Sequence, residues 1–288
     1  MSENLKVGFI GLGAMGEPMA SHLQAAGLLS VVGNRSISKA QVLAEKYSVN
    51  AAHASHYFSD CDVVVLCVSR DADVLENVNT LAGVLKAGAV VVDHSTVSMD
   101  TAMQAQKILA ARNIGFIDAP VSGGVEGAHN GKLSIMVGGT EENLEKVCPV
   151  LNAYAAKITH MGDTGAGQAT KAVNQVLVAG IAQAVCEGLA LGEKLGLKPE
   201  LLVPTLAAGA AGNWFLDKRG ATMLASNFET GFKLALLHKD LLIVQQMAAD
   251  AGLRTSVIEQ SLADYAELMQ QGFGDEDTSA LIRLKRGF

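Results

Sequence analysis

The sequence has little charge and no excess of basic residues. Charged residues make up 18% of the 288 residues, and the formal net charge is −7. Nucleic-acid surfaces need clustered lysine and arginine, so this composition argues against a nucleic-acid partner. The densest basic run, at positions 283–286, is expected to be a solvated helix end. We therefore expect no polyanionic partner.

Cysteine is scarce and shows no metal-binding pattern. Cys61, Cys67, Cys148 and Cys186 have no CxxC spacing and no histidine at zinc-finger distance. Such isolated cysteines suit a reducing compartment. The first six residues are polar and lead straight into a strand-like segment, so no signal peptide is visible. The sequence therefore predicts a cytoplasmic protein without a metal site.

No apolar stretch is long and clean enough to predict a membrane span. A spanning helix needs about 20 consecutive, predominantly apolar residues. The longest candidate, at positions 172–195, is interrupted by five polar residues, Asn174, Gln175, Gln183, Glu187 and Glu193. This pattern indicates a buried helix of a soluble protein.

Hydrophobic residues, at 49%, are abundant enough for a large core, and the length predicts about two domains. In the first half, short apolar runs alternate with helical patterns, which is typical of a mostly parallel, doubly wound sheet. The run from Asp62 to Val68 is continuously apolar, as expected for a strand buried on both faces. We predict strands at 5–10, 30–33, 62–68, 89–93, 115–118 and 133–137, and helices at 15–26, 38–47 and 98–112.

After about residue 162 the pattern becomes helical. Helices are predicted at 167–195, 199–206, 232–251, 256–271 and 278–286, and the Gly/Ala-rich stretch 207–212 breaks the pattern. No internal repeat or low-complexity linker is present. We therefore predict an α/β domain at 1–163 followed by an all-α domain at 164–288.

A GxGxxG motif occurs at Gly11-Leu12-Gly13-Ala14-Met15-Gly16. The motif alone is a weak signal, but here it follows an apolar strand and opens a helix, which is the context it requires. The first glycine makes the tight turn, the second lets the backbone approach a pyrophosphate, and the third lets the helix pack closely on the strand. An incidental glycine-rich turn is the alternative. The context favours a Rossmann-type domain that binds a dinucleotide cofactor through these six residues.

The end of the second predicted strand bears on the choice between NAD and NADP. NAD enzymes usually have Asp or Glu about twenty residues after the motif, to bind the ribose hydroxyls. This chain has Asn34-Arg35-Ser36 instead. Arg35 can pair with a 2′-phosphate, and Asn34 and Ser36 can donate hydrogen bonds to it. An ordinary surface arginine is the alternative, so the sequence favours NADP and leaves NAD possible.

Three further segments carry residues suited to chemistry. Positions 118–124 follow a strand and predict a glycine-rich loop whose N–H groups and Ser122 hydroxyl suit a small carboxylate. Lys171 and Asn174 are three positions apart in the long helix, hence on one face. A lysine among apolar residues of a buried helix is costly unless it has a function. The third segment is 238–240, His-Lys-Asp.

Together these segments resemble the β-hydroxyacid dehydrogenase family, which includes 3-hydroxyisobutyrate dehydrogenases, tartronate semialdehyde reductases and glyoxylate/succinic semialdehyde reductases. The family's N-terminal signature appears at 9–19, its substrate-binding segment at 118–124, its catalytic segment at 165–174 and a cofactor-side segment at 239–241. The matches keep the family's order over nearly the whole chain. In one departure, Asn174 is followed by Gln175 where the family commonly has a second Asn, which leaves the role of that amide open.

The resemblance implies an oxidoreductase that transfers a hydride between a nicotinamide cofactor and a small semialdehyde, keto acid or hydroxy acid. It implies that Lys171 is the general acid/base and that Asn174 orients the substrate or the lysine. The implied substrate-binding residues are Ser122, Gly123 and Gly124, and the further cofactor-binding residues are Val68, Thr96 and Lys239. The family's mechanism is metal-free.

Several candidates have alternatives in ordinary packing. Trp214, Phe215 and Phe232 are candidates for the pocket wall, with a core position as an equal alternative. His94 and His238 stand beside motif residues, and a structural role is favoured for both.

The favoured function is an NADPH-dependent reductase of small semialdehydes or keto acids such as glyoxylate or succinic semialdehyde. An NAD-linked 3-hydroxyisobutyrate-type dehydrogenase is the near alternative. A non-catalytic nucleotide-binding scaffold is disfavoured because Lys171 is present. The apolar long helix and the small helical domain predict a homodimer or homotetramer through the C-terminal domain.

Overall fold

A nine-stranded sheet organises the first of two compact units, which divide between Lys171 and Ala172. The computed structural model describes residues 5–287. The strands are β1 (Val7–Ile10), β2 (Leu29–Gly33), β3 (Asn50–Ala51), β4 (Val63–Leu66), β5 (Val90–Asp93), β6 (Gly115–Asp118), β7 (Val121–Ser122), β8 (Leu133–Gly138) and β9 (Ala155–Gly162). The helices between them are α1 (Gly16–Ala25), α2 (Ile37–Tyr47), α3 (Asp71–Ala82), α4 (Met99–Ala110), α5 (Gly124–His129) and α6 (Glu141–Leu151).

The strand order is β3-β2-β1-β4-β5-β6-β8-β7, with β9 also paired to β8. Strands β1 to β6 pair in parallel, and β8 runs antiparallel to β6 and β7. The chain builds outward from β1 to β3 and then returns to β4 on the other side of β1. In doubly wound sheets, ligands bind outside the carboxyl ends of the strands at the point where the strand order reverses, which here lies between β1 and β4. The predicted Rossmann-type α/β fold is confirmed.

The central strands are buried on both faces. Val63 and Val65 of β4 pack into one core, and Val64 and Leu66 pack into another. Because side chains alternate along a strand, a strand covered on both sides needs an unbroken apolar run. The apolar run at 62–68 was therefore correctly interpreted, although β4 itself is shorter.

The sequence patterns miss the elements that extend or cover the sheet, namely β3, β7, β9, α3, α5 and α6. β3 and β7 have only two residues each, and β9 is partly exposed along its length, so none shows a clear apolar pattern. The predicted loop at 118–124 needs correction, because Ser122 lies in β7, which pairs with β8. Gly123 and Gly124 follow directly and begin α5.

The second unit is helical. Its helices are α7 (Ala166–Lys194, which begins in the first unit), α8 (Pro199–Ala207), α9 (Trp214–Leu224), α10 (Leu234–Asp250), α11 (Ser256–Gln270) and α12 (Ile282–Arg286). Between residues 172 and 287 the structure has no strand beyond an isolated bridge that joins Lys233 to Asp277. The all-α prediction is therefore confirmed, whereas the limit at 163/164 stays a prediction. α9 was missed, and Asn213 caps it by accepting a hydrogen bond from the N–H of Leu216.

By length and composition α7 could cross a membrane, the one such helix among the described residues. It nevertheless carries the buried polar residues Gln168, Lys171 and Gln175. Farther along, Ala182 and Cys186 belong to the core of the second unit. These features fit the helix of a packed domain, which is what the sequence predicts.

Candidate active site

The glycine loop between β1 and α1 has the shape of a phosphate cradle. Gly11 has φ +99°, and a Cβ there would collide with the carbonyl oxygen of Cys67. A Cβ on Gly16 would collide with the carbonyl oxygen of Gly11, so this glycine lets α1 pack against the loop. A Cβ on Gly13 would meet no atom within 4 Å. The second glycine thus opens onto free space at a helix N-terminus, which fits the pyrophosphate of a dinucleotide.

The segment after β2 connects to this loop through Asn34. Its Oδ1 accepts a hydrogen bond from the N–H of Leu12 at 3.1 Å, and its Nδ2 donates to the carbonyl oxygen of Ser36 at 3.2 Å. Arg35 is exposed and makes no hydrogen bond or close ion pair within the described range 5–287, although its charge, after that of Arg70, helps to lower the pKa of Asp73. Its guanidinium is therefore available to an anionic ligand beside the glycine loop.

Ser95 connects the ends of β4 and β5. Its N–H donates to Asp93 Oδ1 and its Oγ accepts from the N–H of Val68, both at 2.9 Å. The predicted cofactor residue Val68 is therefore tied to the segment that contains Thr96. Asp93 is fully buried, its Oδ2 has no hydrogen-bond partner, and burial raises the pKa of this carboxyl to about 7.

Asp93 should make stability depend on pH. Unfolded Asp93 ionises near pH 4, whereas the folded residue keeps its proton up to about pH 7, so the free energy of unfolding falls as pH rises between these values. Asp93→Asn removes this dependence. Between pH 4.5 and 7.5, the free energy of unfolding of the variant should rise relative to that of wild type by at least about 1.4 kcal/mol, which corresponds to a shift of one pKa unit. Chemical denaturation at both pH values measures this, with the exposed Asp60→Asn as control. A stability difference that does not change with pH contradicts it.

His94 is a core residue. It is 3% exposed, with Nδ1 facing the carbonyl oxygen of Ala119 and Nε2 2.8 Å from the hydroxyl of Tyr154. Since a carbonyl can only accept, Nδ1 carries the hydrogen and Nε2 accepts from Tyr154. Burial lowers the pKa of His94 to about 4, so the ring is neutral at physiological pH. The favoured structural role fits this environment.

Lys171 lies beside the segment predicted to hold a carboxylate. Its Nζ donates to the carbonyl oxygen of Val121 at 2.8 Å, and the residue is 8% exposed. Ser122 follows Val121 in β7, and Gly123 and Gly124 come next, with φ +132° and +61°. The structure thus joins two candidate segments that are 50 positions apart in the sequence. A lysine in this position can donate a proton to a small carbonyl compound held by the 122–124 segment.

Asp118, at the end of β6, caps the first turn of α7. Its Oδ1 accepts from the N–H of Gly165 at 2.8 Å, and its Oδ2 accepts from the N–H of Gln168 at 2.9 Å. Burial raises the pKa of this carboxyl, against the opposing effect of these hydrogen bonds. A carboxylate is favourable at a helix N-terminus. Sequence reasoning missed this role, because Asp118 lies 47 positions before Gly165, the residue that directly precedes the helix.

Four polar side chains of the second unit form a hydrogen-bonded chain. Asn174 Nδ2 donates to Gln175 Oε1 at 2.8 Å, and Gln175 Nε2 donates to Asp240 Oδ2 at 2.6 Å. Lys239 Nζ lies 2.8 Å from Asp240 Oδ1. Gln175 and Asp240 are 1% and 4% exposed, so the amide and the ammonium satisfy a buried carboxylate. The amide that departs from the family pattern therefore joins Asn174 to the 239–240 segment.

The aromatic candidates have different environments. Phe215 is 8% exposed and belongs to the core of the second unit, so it is removed from the pocket candidates. Trp214 is 53% exposed and lies against the guanidinium of Arg219, 5.3 Å from its ring centre. Phe232 is half-buried, and its N–H donates to Asp277 Oδ2 at 3.0 Å. Trp214 and Phe232 stay predictions.

All four cysteines are free thiols. Burial raises the pKa of the Cys61 and Cys67 thiols to about 12, so neither is a reactive thiolate. Residues 5–287 contain no group of three or more His, Cys, Asp or Glu side chains that could hold a metal ion.

Two family models match the chain in succession. The NAD binding domain of 6-phosphogluconate dehydrogenase matches residues 6–162. The NAD-binding domain of NADP-dependent 3-hydroxyisobutyrate dehydrogenase matches residues 165–285. Between them the two models span almost the whole chain.

Relatives with named activities match over their full lengths. The chain is 34% identical to 2-(hydroxymethyl)glutarate dehydrogenase of Eubacterium barkeri, over 99% of this chain and 96% of the relative. It is 34% identical to 2-hydroxy-3-oxopropionate reductase of Escherichia coli, over 97% and 96%. Among solved structures, 3-hydroxyisobutyrate dehydrogenase of Mycobacterium tuberculosis with L-serine has a TM-score of 0.89 at 29% identity, over 99% of this chain and 100% of that one.

Proposed function

The chain belongs to the β-hydroxyacid dehydrogenase family of NAD(P)-dependent oxidoreductases, and we propose on this premise that it reduces small semialdehydes or keto acids, such as glyoxylate or succinic semialdehyde, with NADPH preferred. The observation that carries the proposal is the position of Lys171, whose Nζ donates to the carbonyl oxygen of Val121 beside Ser122. A proton donor thereby stands next to a segment suited to bind a carboxylate.

The residues of the first unit fit a dinucleotide. The loop from Gly11 to Gly16 would hold the pyrophosphate, and Arg35, with Asn34 and Ser36, would hold the 2′-phosphate of NADPH. Val68, Thr96 and Lys239 would supply further contacts. When bound, the cofactor supplies the hydride of the reduction.

In this proposal the chain's own residues bind the acid and move a proton. The hydroxyl of Ser122 and the N–H groups of Gly123 and Gly124 donate hydrogen bonds to the substrate carboxylate. Lys171 donates a proton to the carbonyl oxygen as it becomes a hydroxyl, and in the reverse direction the same amine accepts it. Asn174 orients the substrate or the lysine. The burial of Lys171 limits competing proton exchange with water.

A substrate panel tests the proposal. Glyoxylate, succinic semialdehyde and 2-hydroxy-3-oxopropionate would each be assayed with NADPH and NADH, and 3-hydroxyisobutyrate and L-serine with NADP⁺ and NAD⁺. We expect the highest kcat/KM for one of the three carbonyl compounds with NADPH. A clear preference for 3-hydroxyisobutyrate with NAD⁺ would support the alternative dehydrogenase.

Ser122→Ala should weaken the binding of acidic substrates. The change removes one hydrogen bond to a charged group, worth about 1.5–3 kcal/mol, so KM should rise about tenfold or more. Because this bond exists in the ground state and the transition state alike, kcat should change less than threefold. Steady-state kinetics on several acids measures both constants, with the exposed Ser59→Ala as control. An unchanged KM across these acids contradicts the assignment.

We also propose that the chain forms a homodimer or homotetramer through its second unit. Helix α7 presents exposed apolar side chains at Val173, Leu177 and Leu191, and Leu195 follows directly after its last residue; these four side chains are 59–67% exposed. Contiguous exposed apolar surface marks interaction sites, and most soluble oligomers are homo-oligomers.

Sedimentation should give a mass that is a multiple of 29.9 kDa, and Leu191→Glu should lower this mass. Val42→Glu, at an apolar residue of α2 that is 64% exposed, is the control. A wild-type monomer at micromolar concentration contradicts the proposal.

The free thiols also bear on the cellular compartment of the protein. All four cysteines are unpaired, and such thiols persist in reducing compartments. We therefore propose that the protein is cytoplasmic. Cell fractionation tests this, and recovery outside the cytoplasm contradicts it.

A further inference from the structure

We propose that Gln168 is a positioning residue, which holds the segment around Thr96 at a fixed distance from the helix that carries Lys171. The inference rests on the proposed function, because it requires Lys171 to act on the substrate. It concerns the first unit alone and a residue to which the family resemblance assigned no role.

The side-chain amide of Gln168 binds the backbone on both sides of Thr96. Its Nε2 donates to the carbonyl oxygen of Ser95 at 2.8 Å, and its Oε1 accepts from the N–H of Val97 at 3.2 Å. One side chain thus pairs with a donor and an acceptor of the same segment, as a neighbouring strand would. Gln168 is 1% exposed, so both bonds are shielded from water.

The backbone of Gln168 is fixed as well. Its N–H donates to Asp118 Oδ2 at 2.9 Å, so the first turn of α7 is tied to the end of β6. Lys171 follows three positions later, one turn along the same helix face. Its Nζ donates to the carbonyl oxygen of Val121, three positions after Asp118. Helix α7, which carries the proposed acid/base, is thus attached to the sheet at Asp118 and at Val121. Gln168 lies between these two attachment points and the segment that contains Thr96.

The length of the glutamine side chain sets the spacing between α7 and this segment. Ser95 donates to Asp93 and accepts from Val68, and both hydrogen bonds lie at the ends of β4 and β5. The bonds of Gln168 join the same segment to α7 instead. Proton and hydride transfer depend steeply on geometry, and a misplacement of about 1 Å can cost about 100-fold in rate. Gln168 consequently acts on the reaction through the relative position of Lys171 and Thr96.

Two variants separate the roles of the amide. Gln168→Met keeps the length of the side chain and removes both hydrogen bonds. Gln168→Glu keeps an acceptor for Val97, but when ionised it sets a carboxylate against the carbonyl oxygen of Ser95. A protonated Glu can again donate to that oxygen. Gln183→Met is the matched control, because Gln183 lies on the same helix and donates its amide to Asp264 in the second unit.

Hydrogen exchange of the cofactor-free protein tests the contact itself. In Gln168→Met the amide of Val97 should exchange at least tenfold faster, while the later turns of α7 keep their protection. Gln183→Met should leave exchange at Val97 unchanged. The measurement needs neither substrate nor cofactor. Unchanged exchange at Val97 overturns the inference even if the enzyme proves inactive on every acid tested, whereas that inactivity counts against the proposed function.

Kinetics tests the consequence. In Gln168→Met, kcat should fall about 10- to 100-fold, while KM for the acid and the cofactor Kd change less than threefold. In Gln168→Glu, kcat relative to wild type should rise as pH falls, because the neutral acid restores the bond to Ser95. A loss of folded protein would lower the apparent kcat without this pH dependence. The inference is overturned if Gln168→Met retains more than half the wild-type kcat. It is also overturned if the ratio of the Gln168→Glu kcat to the wild-type kcat does not change with pH.

Discussion

Lys171→Ala is expected to lower kcat by at least about 100-fold, because a positioned general acid/base contributes about 10²- to 10⁴-fold to a rate. Cofactor affinity should stay within about threefold of wild type, since the glycine loop and Arg35 are assigned the phosphates. Fluorescence titration of the cofactor, alongside steady-state kinetics, separates the two quantities. Lys194→Ala, at the exposed end of the same helix, should have wild-type kinetics.

Lys171→Arg makes this test more specific. A guanidinium stays charged near neutral pH and cannot exchange the proton, so Arg should not restore activity. Lys171→Ala with more than about a tenth of wild-type kcat would contradict the rate scale of acid/base catalysis. Loss of cofactor binding together with rate would instead assign Lys171 a structural role, as the anchor of α7 to Val121.

Arg35→Asp should invert the cofactor preference. The change removes a charge-assisted contact worth about 1.5–3 kcal/mol and adds repulsion, so NADPH affinity should fall about 100-fold or more. NADH has no 2′-phosphate and should bind within about threefold of its wild-type affinity. The exposed position of Arg35 allows the change without loss of a hydrogen bond or ion pair within the described residues. Titrations with both cofactors measure the difference.

Arg112→Asp is the matched control for this charge change. Arg112 is also exposed, but it lies between α4 and β6, at the amino edge of the sheet, whereas Arg35 follows the carboxyl end of β2. Its substitution should therefore leave both affinities unchanged. Wild-type protein that binds NADH at least as tightly as NADPH would show that Arg35 does not select the 2′-phosphate.

The parts of the site that are predictable from sequence are those with local causes. Gly16 has its role within a few residues, because a Cβ there would collide with Gly11, and the motif with its flanking apolar strand was sufficient to identify the loop. The unbroken apolar run around Val64 likewise predicts, without any other part of the sequence, a strand that is buried on both faces. Short edge strands such as β3 and β7 depend on a partner strand for their stability, and their sequences carry little signal of their own.

The contacts that organise the site connect distant positions. Asp118 caps a helix that begins near Gly165, and Gln168 binds backbone at Ser95 and Val97. Gln175 reaches Asp240, 65 positions away. Such pairs depend on tertiary packing, so a single sequence showed a buried lysine and an unusual glutamine but could not show what each would contact.

Rescue of Lys171→Ala by added primary amines tests the central claim most directly, because it replaces only the group to which the chemistry is assigned. If Lys171 donates the proton, methylamine and ethylamine should raise the variant's kcat with their concentration, and the effect should follow the amine's pKa. The same amines should leave the wild-type enzyme unchanged. A Lys171→Ala enzyme that binds cofactor normally, yet gains no rate from any amine, would contradict the assignment of Lys171 as the acid/base.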